Sequence, residues 1–66
     1  MAGLTKKMLD RIVAERGKGD EVLAMITKAK LILKGFDPDR FTVTTPDDPI
    51  TLARVRQIAY ELGVTL

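Results

Sequence analysis

Apolar residues recur at helical spacing in three segments of the chain. The first segment runs from about residue 6 to residue 16, and its apolar positions share one half of a helical wheel: Leu4, Met8, Leu9, Ile12 and Val13. Thr5 stands where a side chain caps such a helix, and Gly17 follows its last turn, where glycine accepts a left-handed backbone. The pattern predicts an amphipathic helix between these two residues.

The second segment follows the short turn 17–19 and is apolar on more than one side. Asp20 is its predicted N-cap and Gly35 ends it. One continuous face carries most of its apolar residues: Val22, Met25, Ile26, Ala29, Ile32 and Leu33. Leu23 and Leu31 lie away from that face, among polar residues. We therefore expect a central helix that contacts the other helices on one face and the tail or another chain on the second.

The third segment spans residues 49–62, and Gly63 ends it. Its apolar stripe consists of Leu52, Val55, Ile58, Ala59 and Leu62. Two starts are open, because a capping residue precedes proline both at Thr45-Pro46 and at Asp48-Pro49. The pattern favours a third amphipathic helix from either start.

The connection between the second and third helices holds the remaining apolar residues. Phe36 and Phe41 bracket a loop that we expect them to anchor to the core. The β-branched run 42–44 is short enough to be at most a brief edge strand, either paired with 64–66 or left extended. The predicted fold is thus all-α, a compact three-helix domain covering residues 1–66, with a tiny two-stranded element of 42–44 and 64–66 as an option.

Composition excludes most catalytic chemistry. The 66 residues include no cysteine, histidine or serine, so disulfides, thiolate zinc sites and the commonest nucleophiles and general bases are absent. We expect no enzymatic activity, no cofactor and no small-molecule substrate.

Chains below about 70–80 residues seldom obtain more than about 3–5 kcal/mol of net stability from one core. Self-association is therefore expected.

The chain also lacks the patterns of membrane insertion and export. Its apolar runs are far shorter than the roughly 20 residues that span a bilayer, and no charged-then-apolar signal pattern opens it. We expect a cytoplasmic protein with no membrane partner.

Four acids near the loops could supply oxygen ligands to a cation, namely Asp37, Asp39, Asp47 and Asp48. A calcium loop would need glycine at position 42 and glutamate at position 48, and the chain has Thr42 and Asp48 instead. The favoured interpretation is that Asp37 and Asp48 cap helical turns and that the other two acids lie in first turns.

Charge is unevenly distributed along the chain. Residues 1–34 carry eight bases against four acids, whereas residues 35–66 carry three bases against five acids. On the first two helices, bases lie one turn apart at Lys7, Arg11, Lys30 and Lys34. They define the alternative function, nucleic-acid binding by a basic face. Against it, the net charge is only +2 and no aromatic residues are interleaved with the bases.

The stretch 53–64 contains Ile58-Ala59, then Leu62-Gly63-Val64. This pattern resembles the first helix and turn of helix-turn-helix DNA-binding units, and is similar to the opening helix of the small N-terminal domain of bacterial translation initiation factor 2. In such units a second helix after the glycine enters the major groove. Three residues follow Gly63 in this sequence, so DNA reading is not implied here.

Two leucines and two residues of the third helix form the predicted partner surface: Leu23, Leu31, Arg56 and Tyr60. Tyr60 lies on the polar side of the third helix, one turn after Arg56, and both residue types are common at interface hot spots. The sequence therefore predicts a non-catalytic interaction or regulatory module that acts through helix faces, as a homo-oligomer or docked on a larger protein.

Overall fold

A computed structural model describes residues 2–66 and shows a three-helix fold. The helices are α1 (Leu4–Arg16), α2 (Glu21–Leu33) and α3 (Pro49–Glu61), with a 3₁₀ turn, Pro38–Arg40, between the last two. Across the described residues there is no sheet, and a single antiparallel bridge joins Ala2 to Pro46. The predicted all-α three-helix class is confirmed.

α1 is the helix on which the other elements pack. It contacts α2, α3 and the 3₁₀ turn, whereas α2 and α3 do not approach each other closely. The expectation that the second helix is central is therefore wrong. α2 has only α1 and the 3₁₀ turn to pack against, so one side of it is left without a neighbouring helix.

The core is formed mainly by residues of α1 and α3. It consists of Met8, Leu9, Ile12, Leu31, Phe36, Val55, Ile58, Ala59 and Val64. Leu4, Val13, Phe41, Leu52 and Leu62 pack against its edge. The stripes predicted for the first and third helices thus face the core as expected, and both phenylalanines contact it. From α2, only Thr27 and Leu31 are buried.

A close contact at the turn between α1 and α2 explains which side of α2 is buried. Gly17 lies directly against Ala24, and a Cβ on Gly17 would be 2.8 Å from the Cα of Ala24 and closer still to its Cβ. The φ of Gly17 is −93°, so the glycine serves this approach rather than the predicted left-handed turn. Ala24 shares a side of α2 with Thr27 and Leu31. The turn therefore directs that side toward α1.

Thr27 can be buried because its hydroxyl has a partner inside its own helix. The Oγ1 atom donates to the carbonyl oxygen of Leu23 at 2.8 Å. A buried hydroxyl without such a bond would be costly. The polar residue therefore does not prevent this face of α2 from packing inward.

The ends of α2 and α3 are closed in the same way. The amide of Phe36 donates to the carbonyl of Leu31, and the amide of Val64 donates to that of Ala59, each at 2.8 Å. In both cases the residue after the glycine is apolar and buried. Each helix end is thus tied to the core by the residue that follows it.

The N-terminus of α1 is capped from a distant part of the chain. The carboxylate of Asp47 accepts from the amides of Leu4 and Thr5 at 3.2 and 2.9 Å, and from the Thr5 hydroxyl at 3.0 Å. Thr5 itself is buried inside the first turn, so its predicted capping role is wrong. Gly3, with φ of 86°, precedes the helix instead. Asp47 therefore joins the start of α1 to the segment before α3.

The other caps are local. Asp20, Asp37 and Asp48 each accept from backbone amides of the turn they begin, which confirms the predicted caps. Of the two possible starts for α3, the structure has the one at Asp48-Pro49.

The optional two-stranded element does not form. Residues 42–45 make a turn in which the amide of Thr42 donates to Thr45 Oγ1 at 2.8 Å and the amide of Thr45 donates to the Thr42 carbonyl at 3.1 Å. Threonine hydroxyls accept hydrogen bonds from backbone amides here, so these amides need no strand partner. Residues 64–66 lie without regular structure after α3.

Leu31→Ala should lower the free energy of unfolding by about 2–5 kcal/mol, because it leaves a cavity in the core. Leu33→Ala, two residues away on the exposed side, should change that free energy by less than about 0.5 kcal/mol. Chemical denaturation of both variants at one low protein concentration measures the difference. Equal losses would contradict the orientation of α2.

The cap at Asp47 predicts a loss of stability in acid. The Thr5 amide, followed by the other donors at this cap, holds the pKa of Asp47 below its ordinary value of 3.8. A carboxylate whose pKa is lower in the folded state stabilises the fold above the unfolded pKa and loses that contribution as the pH falls through the folded pKa. Stability should therefore fall as the pH drops below about 4.

In Asp47→Asn this dependence should be shallower, as measured by thermal unfolding from pH 6 down to pH 2. Glu15→Gln removes the same charge from the exposed side of α1, where it has no ion-pair partner within residues 2–66, and serves as the control. An unchanged acid profile in Asp47→Asn would show that this cap does not hold the start of α1.

Candidate interaction surface

The main candidate surface is an apolar face of α2 that no other element covers. We call it the α2 outer face, and it comprises Val22, Met25, Ile26, Ala29, Ile32 and Leu33. Its five large side chains are between 46% and 87% exposed. The sequence placed Leu31, on the other side of α2, on the partner surface, and that assignment is wrong, because the Gly17 turn directs this other side toward α1.

The α2 outer face is continuous and large for a domain of this size. Its residues recur every three or four positions, which places them along one side of the helix. A side chain of this size carries on the order of 100 Å² of apolar surface, so the five leave roughly 300 Å² uncovered. That is comparable to the largest apolar patch of many monomers, which is often functional.

Charged residues border the α2 outer face at its two ends. Glu21 lies at its N-terminal end and Lys30 and Lys34 lie toward its C-terminal end, whereas the Asp20 carboxylate caps the amides of Val22 and Leu23. Lys34 is 3.6 Å from Glu61, and both side chains are partly exposed. No ion-pair partner of Glu21 or Lys30 lies within residues 2–66. These two side chains are therefore available to a molecule bound on the face.

Lys28 lies on the inner side of α2 and is already paired. Its ammonium group contacts the carboxylate of Asp39 in the 3₁₀ turn. This hydrogen bond raises the pKa of Lys28 and lowers that of Asp39. Lys28 therefore joins α2 to the 3₁₀ turn, away from the outer face.

The residues predicted as one partner surface are separated. Leu31 is fully buried in the core, so it presents no surface to a partner, and this corrects its predicted place. Leu23 is 43% exposed on α2. Arg56 and Tyr60 instead line a groove of about 290 Å³ formed by α3 and the C-terminal residues, to which α2 contributes nothing. Tyr60 is exposed, as its position on the helix predicted.

The four bases of the alternative function do not line a common groove. Lys7 and Arg11 line one of about 280 Å³ with Arg56. Lys34 lines another with Arg54, and Lys30 borders the α2 outer face. The structure thus places them around three different features.

The four acids near the loops are engaged in the fold. Three of them accept backbone hydrogen bonds at helix starts, and the fourth pairs with a lysine: Asp37, Asp47, Asp48 and Asp39, respectively. Within the part of the chain described, no three acidic side chains come together as potential metal ligands. Helix capping and one ion pair therefore account for these four carboxylates.

None of the helices within residues 2–66 combines the length and the apolar character that a bilayer span requires.

The sequence revealed the apolar composition of the α2 outer face but not its exposure. The signal that could have oriented α2 is the pair Gly17 and Ala24, because two small residues seven positions apart across a tight turn permit close helix packing.

Comparison with protein-family models, curated proteins and solved structures finds no match to this chain. The function is therefore argued from the surface of the fold.

Proposed function

We propose that this chain is a non-catalytic interaction module that self-associates through the α2 outer face. The observation that carries the proposal is the uncovered apolar stripe on α2, opposite the side that Leu31 and Thr27 bury against α1. A helix that is apolar on both sides gains stability when its second side is also covered.

A second copy is a suitable occupant because the same face can bind itself. In a two-fold symmetric dimer one patch meets the same patch, so a single exposed face is sufficient. Ala29 lies in the middle of the stripe, and a small residue there lets two helices approach to the 8–10 Å that is usual between packed helices. Larger side chains on either side of it would fill the space between the helices.

The area supports a reversible dimer. Covering the face in two copies would remove at most roughly 600 Å² of apolar surface from water, at about 100 Å² for each fully exposed side chain. That is below the roughly 1,200 Å² in total that stable interfaces bury, and it is in the range of weak, transient ones. We therefore expect monomer and dimer to exchange with concentration.

The non-catalytic part of the proposal rests on composition and on the engagement of polar groups. Histidine, cysteine and serine are absent from the chain. The loop acids take part in caps and an ion pair. An interaction surface needs none of these groups, and the apolar face of α2 supplies it.

Sedimentation over a concentration series tests self-association. The average mass of the unmodified chain should rise from monomer toward dimer. Met25→Glu should shift this rise to at least tenfold higher concentration, since a tenfold change needs only about 1.4 kcal/mol and the variant places a charge in the interface. Ile50→Glu is the matched control, because Met25 and Ile50 are 71% and 73% exposed on different helices.

The control should associate like the unmodified chain. A chain that stays monomeric up to millimolar concentration would refute self-association. Equal weakening by Met25→Glu and Ile50→Glu would place the interface elsewhere. If a nucleic-acid probe binds the monomer, and Lys7→Glu with Arg11→Glu abolishes this binding, the alternative function replaces the proposal.

A further inference from the structure

A groove lies where α1, α3 and the C-terminal residues meet. We call it the α1–α3 groove, and it has a volume of about 280 Å³. Its lining residues on α1 recur every three or four positions and so share one side of that helix: Leu4, Lys7, Met8 and Arg11. Arg56 of α3 and Leu66 complete the lining. Three bases therefore lie beside three apolar side chains.

The apolar part of this lining is only partly covered by the fold. Leu4 is half-buried at the edge of the core, and Leu66 is 39% exposed. Met8 belongs to the core, so the groove reaches the core where Met8 lines it. An aliphatic side chain placed in the groove would contact these three residues and leave water, which is favourable.

The three bases of the groove are exposed and have no ion-pair partner within residues 2–66. The ion pairs of this part of the chain use other bases: Lys6, Lys28 and Lys34. Asp47, the acid at the start of α1, is engaged by hydrogen bonds from the first turn of that helix. Carboxylates of a bound molecule would therefore meet cations that no acid of the described chain already pairs with.

The positive charge continues into two neighbouring grooves. One, of about 390 Å³, shares Arg11 with the α1–α3 groove and adds Glu15 and Arg16. The other, of about 290 Å³, shares Arg56 and adds Tyr60. The side chains that line the three grooves thus include four bases and one acid, a balance of +3, whereas the whole chain carries +2. The excess positive charge of the chain is therefore concentrated on this surface.

We propose that the α1–α3 groove binds an acidic peptide segment of a partner protein and holds one large aliphatic side chain of that segment. Carboxylates on either side of this side chain pair with Lys7, Arg11 and Arg56. α2 lines none of the three grooves, so this site goes beyond the proposed self-association and does not depend on it.

The continuity of the surface favours a peptide over a small anion. The neighbouring grooves share Arg11 on one side of the α1–α3 groove and Arg56 on the other. A ligand that follows the surface therefore meets bases in all three grooves, whereas a small anion would contact one or two of them. Exposed ion pairs are individually weak, so several carboxylates on one chain are needed for appreciable affinity.

The apolar lining favours a peptide over a nucleic acid. Proteins that bind single strands combine basic residues with aromatic side chains on which successive nucleobases stack. Among the residues that line the three grooves, Tyr60 is the one aromatic, and it lies outside the central groove. The central groove offers leucine and methionine side chains, which suit an aliphatic side chain rather than a nucleobase.

Fluorescence anisotropy with two labelled synthetic peptides tests the site. Both peptides have nine residues, of which eight are glutamate, and the central residue is leucine in one and glycine in the other. The leucine peptide should bind about fivefold more tightly or better, because only it places an aliphatic side chain in the groove. Binding of both peptides should weaken as the salt concentration rises.

Substitutions on the two parts of the lining separate charge from apolar contact. Lys7→Gln with Arg11→Gln should weaken binding of the leucine peptide by about fivefold or more, because two of the three bases lose their charge. Leu66→Ala should instead reduce the preference for the leucine peptide and leave the affinity of the glycine peptide unchanged.

Lys18→Gln with Arg40→Gln is the matched control. It removes the same charge from exposed positions that line none of the three grooves. This control should change the affinity of the leucine peptide by less than about twofold. An equal loss in the control and in the groove variant would show attraction by net charge alone and would overturn the proposal.

Three other outcomes would also overturn it. The first is equal affinity for the leucine and glycine peptides, and the second is no binding of either peptide up to millimolar concentration. The third is tighter binding of a single-stranded RNA with eight phosphates that the groove variant also weakens, which would assign the surface to nucleic acid.

The variant Met25→Glu keeps this test separate from the proposed self-association. Met25 lies on the α2 outer face, so this variant should bind the leucine peptide as the unmodified chain does, even where it no longer dimerises. A loss of peptide binding in Met25→Glu would place the peptide site at the α2 outer face and refute the groove. A monomeric chain that binds the leucine peptide would refute self-association and leave the groove proposal standing.

Discussion

The packing of α2 against α1 rather than α3 is the constraint on which the rest of the structure depends. α3 and the 3₁₀ turn also contact α1, and α2 and α3 do not approach each other closely. The close approach of Gly17 and Ala24 then determines which side of α2 is covered. Once Thr27 and Leu31 occupy that side, the longer apolar stripe can only point away from the domain.

This arrangement connects the small size of the domain to its proposed role. A 66-residue chain has little core, and here part of its apolar surface lies outside that core. Some polar residues, in contrast, hold distant parts of the fold together. The Asp47 carboxylate joins the start of α1 to the segment before α3, and Lys28 with Asp39 joins α2 to the 3₁₀ turn. The α2 outer face, by contrast, has no contact with another described element of the fold, and this is the surface on which the proposed self-association rests.

Much of the fold could be predicted because its signals are local. Helix periodicity, the caps at Asp20 and Asp48, and the glycines after α2 and α3 each depend on residues a few positions apart. The long-range cap could not be predicted, because Asp47 and Thr5 are 42 positions apart and nothing local indicates their contact. Thr5 fits a local cap equally well by sequence, so the local pattern predicts the wrong cap.

The sequence by itself determined three amphipathic segments, their approximate ends, and a second helix that is apolar on two sides. It also showed that Leu23 and Leu31 lie away from the main stripe of that helix. Only the tertiary structure decided that Leu31 belongs to the core and that the main stripe is exposed. Periodicity groups residues by face but does not say which of two apolar faces meets a neighbour. That choice depends on the packing of Gly17 against Ala24 across the turn.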